Sequence, residues 1–137
     1  MKVLVTGGAG FIGSHLADRL IKEGHKVVVL DNLSTGRKEN LNRKAKFYKA
    51  DICSPKISQI FKKEKPKVVF HLAAIPRVPL SVKDPVGTSK VNILGTINIF
   101  RAGAEARVKR IIFASSSSVY GDQKKLPLKE RDRKSVV

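Results

Sequence analysis

Three glycines at fixed spacing, Gly7-x-x-Gly10-x-x-Gly13, follow the apolar run Val3-Leu4-Val5 and open onto a helical pattern at Ile12, Leu16 and Leu20. Residues of these types in this order can cradle a pyrophosphate. Gly7 permits a tight turn, Gly10 has no Cβ to hold the backbone off a phosphate, and Gly13 lets the helix lie close to the sheet. The helix N-terminus adds unpaired N–H groups and a partial positive charge. A triphosphate loop is disfavoured, because Ser14-His15 follows Gly13 in place of the Lys-Ser/Thr pair that such a loop needs. Asp31 ends the next apolar run. A carboxylate there can accept both hydroxyls of an adenosine ribose and repels a 2′-phosphate, so NAD is expected over NADP. Arg37 is the nearby group that could hold such a phosphate, and an Asp at a strand end can also cap a turn. Asp51 is placed to accept from an adenine amino group. Either Asp51 or Ser54, before Pro55, could instead cap a helix.

Positioning these groups requires strands and helices in alternation. Continuous apolar runs at 2–6, 26–30, 46–50, 67–72 and 109–114 read as strands covered on both faces. Between them, Ile57, Ile60 and Phe61 share one helical face, and Ile93, Ile97, Phe100 and Ala104 recur at helical spacing. Gly24 ends the first helix and Pro66 follows a later one. The expected fold is α/β, a Rossmann-type doubly wound parallel sheet cut off after about five strands. Residues 1–120 form the dinucleotide-binding domain, and 121–137 read as a charged, loop-like tail.

Composition narrows the function classes. Cys53 is the only cysteine, and His15, His25 and His71 show no ligand spacing, so no metal site is expected. No apolar run reaches the ~20 residues of a membrane span and no signal segment precedes the first strand, so a soluble cytoplasmic protein is expected. The 28 Lys and Arg against 11 acids give a net charge of +17. Without aromatic stacking platforms or a nucleic-acid motif, that charge predicts at most non-specific nucleic-acid binding at low salt. It also attracts anionic cofactors.

Six segments occur in one order: Thr6-Gly-Gly-Ala-Gly-Phe-Ile-Gly-Ser-His-Leu16, Asp31-Asn-Leu-Ser-Thr-Gly36, Asp51-Ile52, His71-Leu-Ala-Ala74, Val91-Asn92-Ile-Leu-Gly95-Thr96 and Ser115-Ser-Ser-Ser-Val-Tyr-Gly121. Together they resemble the extended short-chain dehydrogenase/reductases, in particular the NAD-dependent sugar-nucleotide epimerases and dehydratases. The resemblance implies cofactor contacts at Gly7, Gly10, Phe11, Ile12 and Gly13. It adds Asp31, Asn32, Ser34, Thr35 and Gly36 after the second strand, then Asp51, Ile52, Leu72, Ala73 and Ala74. Packing between strand and helix is the other role open to Ala73 and Ala74. Asn92 would polarise a group near the site or make a structural hydrogen bond. Ser116 would be the catalytic hydroxyl, with Ser117 and Ser118 facing the substrate, and turn capping is the other use of such serines.

The same resemblance implies 4-epimerisation of a UDP-hexose by hydride transfer at C4 through a 4-keto sugar, with homodimers common. A 4,6-dehydratase, a 4-reductase, or an inactive fragment that only holds NAD are the alternatives. The family's Tyr-x-x-x-Lys pair would fall beyond Val137, so this chain is expected to be the N-terminal part. Tyr120 and Lys124 have that spacing, but Gly121 and Asp122 between them are poor helix formers.

Overall fold

In the computed structural model, which describes residues 1–121 and 126–132, each apolar run becomes a strand. These are β1 (Lys2–Thr6), β2 (Lys26–Asp31), β3 (Lys46–Lys49), β4 (Val68–His71) and β5 (Arg110–Phe113). They form one parallel sheet in the order β3-β2-β1-β4-β5. Central β1 is covered on both sides, with Val3, Leu4 and Val5 at most 1% exposed. Double coverage is the reason its sequence is apolar without alternation. The chain order reverses direction between β1 and β4, and the crevice at the C-terminal ends of those strands is where such sheets bind ligands.

One layer is α1 (Phe11–Lys22), whose Ala17 and Leu20 pack on Val3, Val5, Val27 and Val29. The other face carries α2 (Lys56–Glu64), with Ile57, Ile60 and Phe61 buried against Leu4, Val28 and Val69. Beside α2 runs a longer helical rod of three parts, α4 (Pro85–Ser89), a π-helical turn (Lys90–Gly95) and α5 (Thr96–Glu105), with right-handed helical backbone at both joints. It starts where Asp84 accepts from the Gly87 N–H at 2.9 Å, ahead of Pro85. The short α3 (Val78–Lys83) precedes it and, like the α4 start, was not read from the sequence.

One expected helix face holds in part and another needs correction. In α1, Leu20 is buried and Leu16 packs on the core as expected, together with Gly13, Ser14 and Ala17, while Ile12 is 70% exposed. In the long rod Gly95, Ile99, Ala102 and Gly103 face inward, and Ile93, Ile97 and Phe100 lie on the exposed side at 57%, 53% and 40%, with Ala104 exposed as well. Small residues occupy the inner face because neighbours press on it closely: a Cβ on Gly103 would meet Ile111 Cδ1 of β5 at 2.7 Å, and one on Gly95 would meet Cδ1 of Ile52, in the turn after β3, at 2.5 Å. Residues 126–132 hold turns and bends without helix or strand, and Lys124 lies outside the described residues.

A candidate dinucleotide site at the C-terminal edge of the sheet

The glycine turn folds back on itself at the end of β1. Gly7 takes φ +69°, its N–H bonds Leu30 O at 2.8 Å, and its carbonyl accepts from Gly10 N at 3.1 Å. A Cβ on Gly13 would sit 2.2 Å from Gly7 O, so this glycine is required by the turn's own backbone. A Cβ on Gly7 would meet Ala73 N at 2.9 Å, placing the end of β4 directly against the turn. Gly8, which sequence reasoning passed over, presses on β2, where its Cβ would meet Val29 Cγ1 at 2.6 Å. Gly10 is different. Its Cβ would touch only Gly7 O, at 3.3 Å, so its other side is open.

Gly10 is also the N-cap of α1, and no side chain caps that end or places an acid in its first turn. The first N–H groups and the positive end of the helix dipole are therefore available to an anion. Phe11 and Ile12 stand at this end 79% and 70% exposed, large apolar side chains with no core to enter.

Asp31 lies beside the turn, 8% exposed. Its Oδ2 accepts from Ala9 N at 3.0 Å and its Oδ1 from Leu33 N at 2.8 Å, so the carboxylate joins the glycine turn to the loop after β2. That loop closes back on the same residue: Arg37 N and Asn40 Nδ2 donate to Ala9 O, and a Cβ on Gly36 would meet the Ala9 Cβ at 2.9 Å. Ser34 and Thr35 are exposed in it. Asn32 donates to Asp51 Oδ2 at 3.0 Å and accepts from Ser34 N at 3.0 Å. Asp51 also accepts from Cys53 N at 2.7 Å. Burial pulls the Asp51 carboxyl upward, but the Cys53 N–H and the Asn32 amide outweigh it and hold it below the ordinary value. Asp51 thus closes a turn of its own, and of the two expected caps it is Ser54 that meets the start of α2, its Oγ accepting from Lys56 N at 3.3 Å. Ile52 is 4% exposed, with its side chain in the core under Gly95.

The end of β4 is fixed by a chain of hydrogen bonds that the sequence did not announce. Thr6 Oγ1 accepts from Leu72 N and Ala73 N, both at 3.1 Å, so its own proton must go to His71 Nδ1, 2.7 Å away. His71 is then a neutral imidazole protonated on Nε2, which donates to Thr96 Oγ1 at 3.0 Å. Thr96 passes its proton to Asn92 O at 2.8 Å. The Asn92 side chain pairs with both the N–H and the C=O of Ile75, at 2.8 and 3.0 Å. The structure therefore shows Asn92 in a structural hydrogen bond, holding the segment past β4 that carries Leu72, Ala73 and Ala74. His71 is 1% exposed, with the Phe113 ring stacked at 5.6 Å and Phe100 at its edge. Burial pushes its pKa down to about 4. A buried threonine followed at β4 by His-x-Ala was the available signal.

Ser115–Ser118 are exposed just past β5. The Ala114 N–H bonds His71 O at 3.3 Å, so this loop shares the edge with the glycine turn. Ser116 caps a short 3-10 turn, Ser117–Tyr120, by accepting from Ser118 N, and its hydroxyl lies 3.1 Å from that of Ser118. The turn ends at Gly121, φ +59°, so no helix runs on from Tyr120. Among the described residues no group of His, Cys, Asp and Glu could hold a metal, and no helix is long and apolar enough to cross a membrane.

The chain is similar to UDP-glucose 4-epimerase of Lactobacillus helveticus, 47% identical over 131 residues that cover 95% of this chain and 40% of the relative. A UDP-glucose 4-epimerase of Mycolicibacterium smegmatis is 46% identical, with 95% and 44% covered. Among solved structures, a Thermotoga maritima UDP-glucose 4-epimerase with UDP-glucose superimposes with TM-score 0.87 at 45% identity, over 92% of this chain and 41% of that one. A Thermus thermophilus UDP-glucose 4-epimerase in complex with NAD gives TM-score 0.90 at 38% identity, over 98% and 44%. The chain thus spans about two fifths of these relatives. The model of the NAD dependent epimerase/dehydratase family matches residues 3–136, and the chain belongs to that family.

Proposed function

We propose that this chain is the dinucleotide-holding part of an NAD-dependent UDP-hexose 4-epimerase. One observation carries the reading: an uncapped helix N-terminus with an open glycine beside it and a carboxylate, Asp31, at the neighbouring strand end. The residues fit the group. Gly10, Phe11 and Ile12 would take the pyrophosphate on backbone N–H groups, Asp31 the adenosine ribose, and Asp51 with Asn32 the adenine edge. Leu72, Ala73 and Ala74, pinned through Thr6, His71 and Asn92, would form the wall beside the nicotinamide. When bound, NAD supplies reversible hydride acceptance from C4 of a nucleotide-linked hexose. Ser116 would hydrogen-bond the reacting hydroxyl, and Ser117 and Ser118 would meet the sugar. The Asp31 charge discriminates against a 2′-phosphate.

Thermal unfolding tests the reading. Millimolar NAD should raise the Tm by several degrees, NADP much less, since ligand at 100-fold its Kd adds about 2.7 kcal/mol. Gly10→Val brings its Cβ to 3.3 Å from Gly7 O, a tight contact that a shift of a few tenths of an ångström relieves. It should fold near normally and lose the NAD shift. A folded chain whose Tm is indifferent to NAD overturns the proposal.

A further inference from the structure

We propose that the N-terminal edge of the sheet, opposite the dinucleotide site, is a docking face for the phosphate backbone of a nucleic acid. The cations are scattered in sequence, but a parallel sheet brings every strand start to one edge. Lys2 lies in register with Lys26, and backbone bonds of 2.9 Å from Lys67 N to Lys2 O and from Lys109 N to Lys67 O continue the row. Lys26, Lys2, Lys67 and Lys109 thus stand on adjacent strands, about 4.8 Å apart. Residues two apart on a strand share a face. Each of these lysines precedes by two a residue packed in the α2/α5 layer, namely Val28, Leu4, Val69 or Ile111. All four therefore belong to one side of the sheet.

The two helices of that layer end on the same edge and add to the row. α2 finishes with Lys62 and Lys63, and Lys65 follows at φ +46°; Arg107, just past α5, takes φ +54°. Glycine is the common residue in that left-handed position after a helix, and α1 has it, as Gly24 at φ +80°. At α2 and α5 a cation stands there despite the backbone strain. The acids at the strand starts and helix ends already face cations. Glu64 is held by Lys2 at 3.1 Å and Lys46 at 2.6 Å, Glu23 by Arg19 and Glu105 by Arg101. Among the described residues Lys26, Lys62, Lys63, Lys65, Lys67 and Lys109 are exposed without an ion pair.

The kind of partner follows from what accompanies the charge. Tyr48 stands on β3 level with Leu30 and only its hydroxyl reaches this edge, bonded to Glu64, while Lys46 Nζ lies over its ring at 5.5 Å, so no aromatic face is offered to bases here. Apart from Met1, the large exposed apolar side chains such as Phe11, Ile12, Val82 and Phe113 belong to other parts of the molecule, which leaves no wedge for a lipid surface. A row of cations without either feature recognises phosphates alone, independent of base sequence.

With about five phosphates engaged, log K against log salt should fall with a slope near −4.5 for a duplex. The test is anisotropy of a labelled 20-base-pair duplex with this chain from 50 to 200 mM NaCl, for two sequences of different composition. Lys62, Lys63, Lys67 and Lys109 all changed to Gln should cut affinity at 50 mM at least about 100-fold and flatten the slope by about 3.6. A charge-matched control at other sites, Lys38, Lys49, Lys56 and Lys83 all changed to Gln, should move the slope by less than about 1. Lysine acetylation of the unaltered chain should show Lys62, Lys67 and Lys109 protected by the duplex. No binding at 50 mM, equal losses in both variants, unprotected lysines, or tighter binding to phosphatidylserine vesicles than to the duplex would each overturn the proposal.

Discussion

The two edges of this sheet meet the same requirement, polar groups at the ends of buried strands, with different chemistry. At the C-terminal edge, neutral groups and backbone do the work. Thr6, neutral His71, Thr96 and Asn92 form a directed chain in which each donor has one acceptor, and glycines bring main chain against main chain. The carboxylates there, Asp31 and Asp51, accept from backbone N–H groups. At the N-terminal edge the groups are charged. Glu64, 3% exposed, accepts from Lys2, Lys46 and the Tyr48 hydroxyl. The difference teaches why one edge is specific and the other is not. An edge of directed hydrogen bonds, its two carboxylates held by backbone N–H groups, has fixed geometry and leaves room for one ligand shape, whereas a row of long cations selects only by charge.

Steric substitution should show the largest contrast. Gly13→Val puts a Cβ where Gly7 O and Gly8 Cα stand at 2.2 and 2.8 Å, and neither backbone atom can move without unfolding the turn. A loss of at least about 3 kcal/mol is expected in urea unfolding. An added side chain at Gly24, past α1 at the other edge, meets nothing within 4 Å, so Gly24→Ala should cost only the strain of its positive φ. Equal losses at the two sites would erase the contrast.

Acid separates the edges next. His71 has a folded pKa of about 4 against 6.5 in the unfolded chain. Between those values the unfolded state takes the proton and the folded state does not. Stability therefore falls as pH drops from 6.5 to 4, by up to about 3 kcal/mol. Glu64 works lower. Burial opposes its charge, but the hydrogen bonds from Lys46, Tyr48 and Lys2 prevail and hold it at about 2, against an ordinary 4.5. Its contribution is full above pH 4.5 and is lost as pH falls toward 2. His71→Gln should remove the upper step and keep the lower, and Glu64→Gln the reverse, both read from urea midpoints across pH. A single step abolished by either variant would mean that the edges are not independent.

These results also separate what the sequence could disclose. Strands β1, β2 and β4 were legible to within a residue or so because burial on both faces leaves continuous Val, Leu and Phe. The glycine turn was legible because Gly7 at φ +69° and Gly13, with Gly7 O 2.2 Å from where a Cβ would stand, admit no other residue. The inner face of the long rod was not, and that of α1 only in part: Leu16 and Leu20 were read correctly, but close packing selects the small Gly13, Ala17, Gly95 and Ala102, and the eye follows the larger Ile12, Ile93 and Ile97 outward instead. The π turn adds a residue to the rod and shifts its phase, so one helical period cannot describe both halves. The Thr6–His71–Thr96 chain was hidden for a different reason: its members lie on β1, β4 and α5, and only the parallel register brings them together.

The smallest effect isolates one residue at the charged edge. Lys65 follows α2 in the left-handed region, φ +46°, with its N–H on Phe61 O at 2.8 Å. Glycine would relieve roughly 1 kcal/mol of steric strain there, and part of that gain is returned as extra entropy of the unfolded chain. Lys65→Gly should therefore raise stability by about 0.5 kcal/mol while lowering the salt slope of duplex binding by about 1. The two readouts move in opposite directions because the lysine is placed for its charge at the expense of its backbone. A variant that gains stability and keeps the full slope would show that Lys65 stands clear of the phosphates. The docking row would then lose Lys65 and keep Lys62, Lys63 and the lysines of the strand starts.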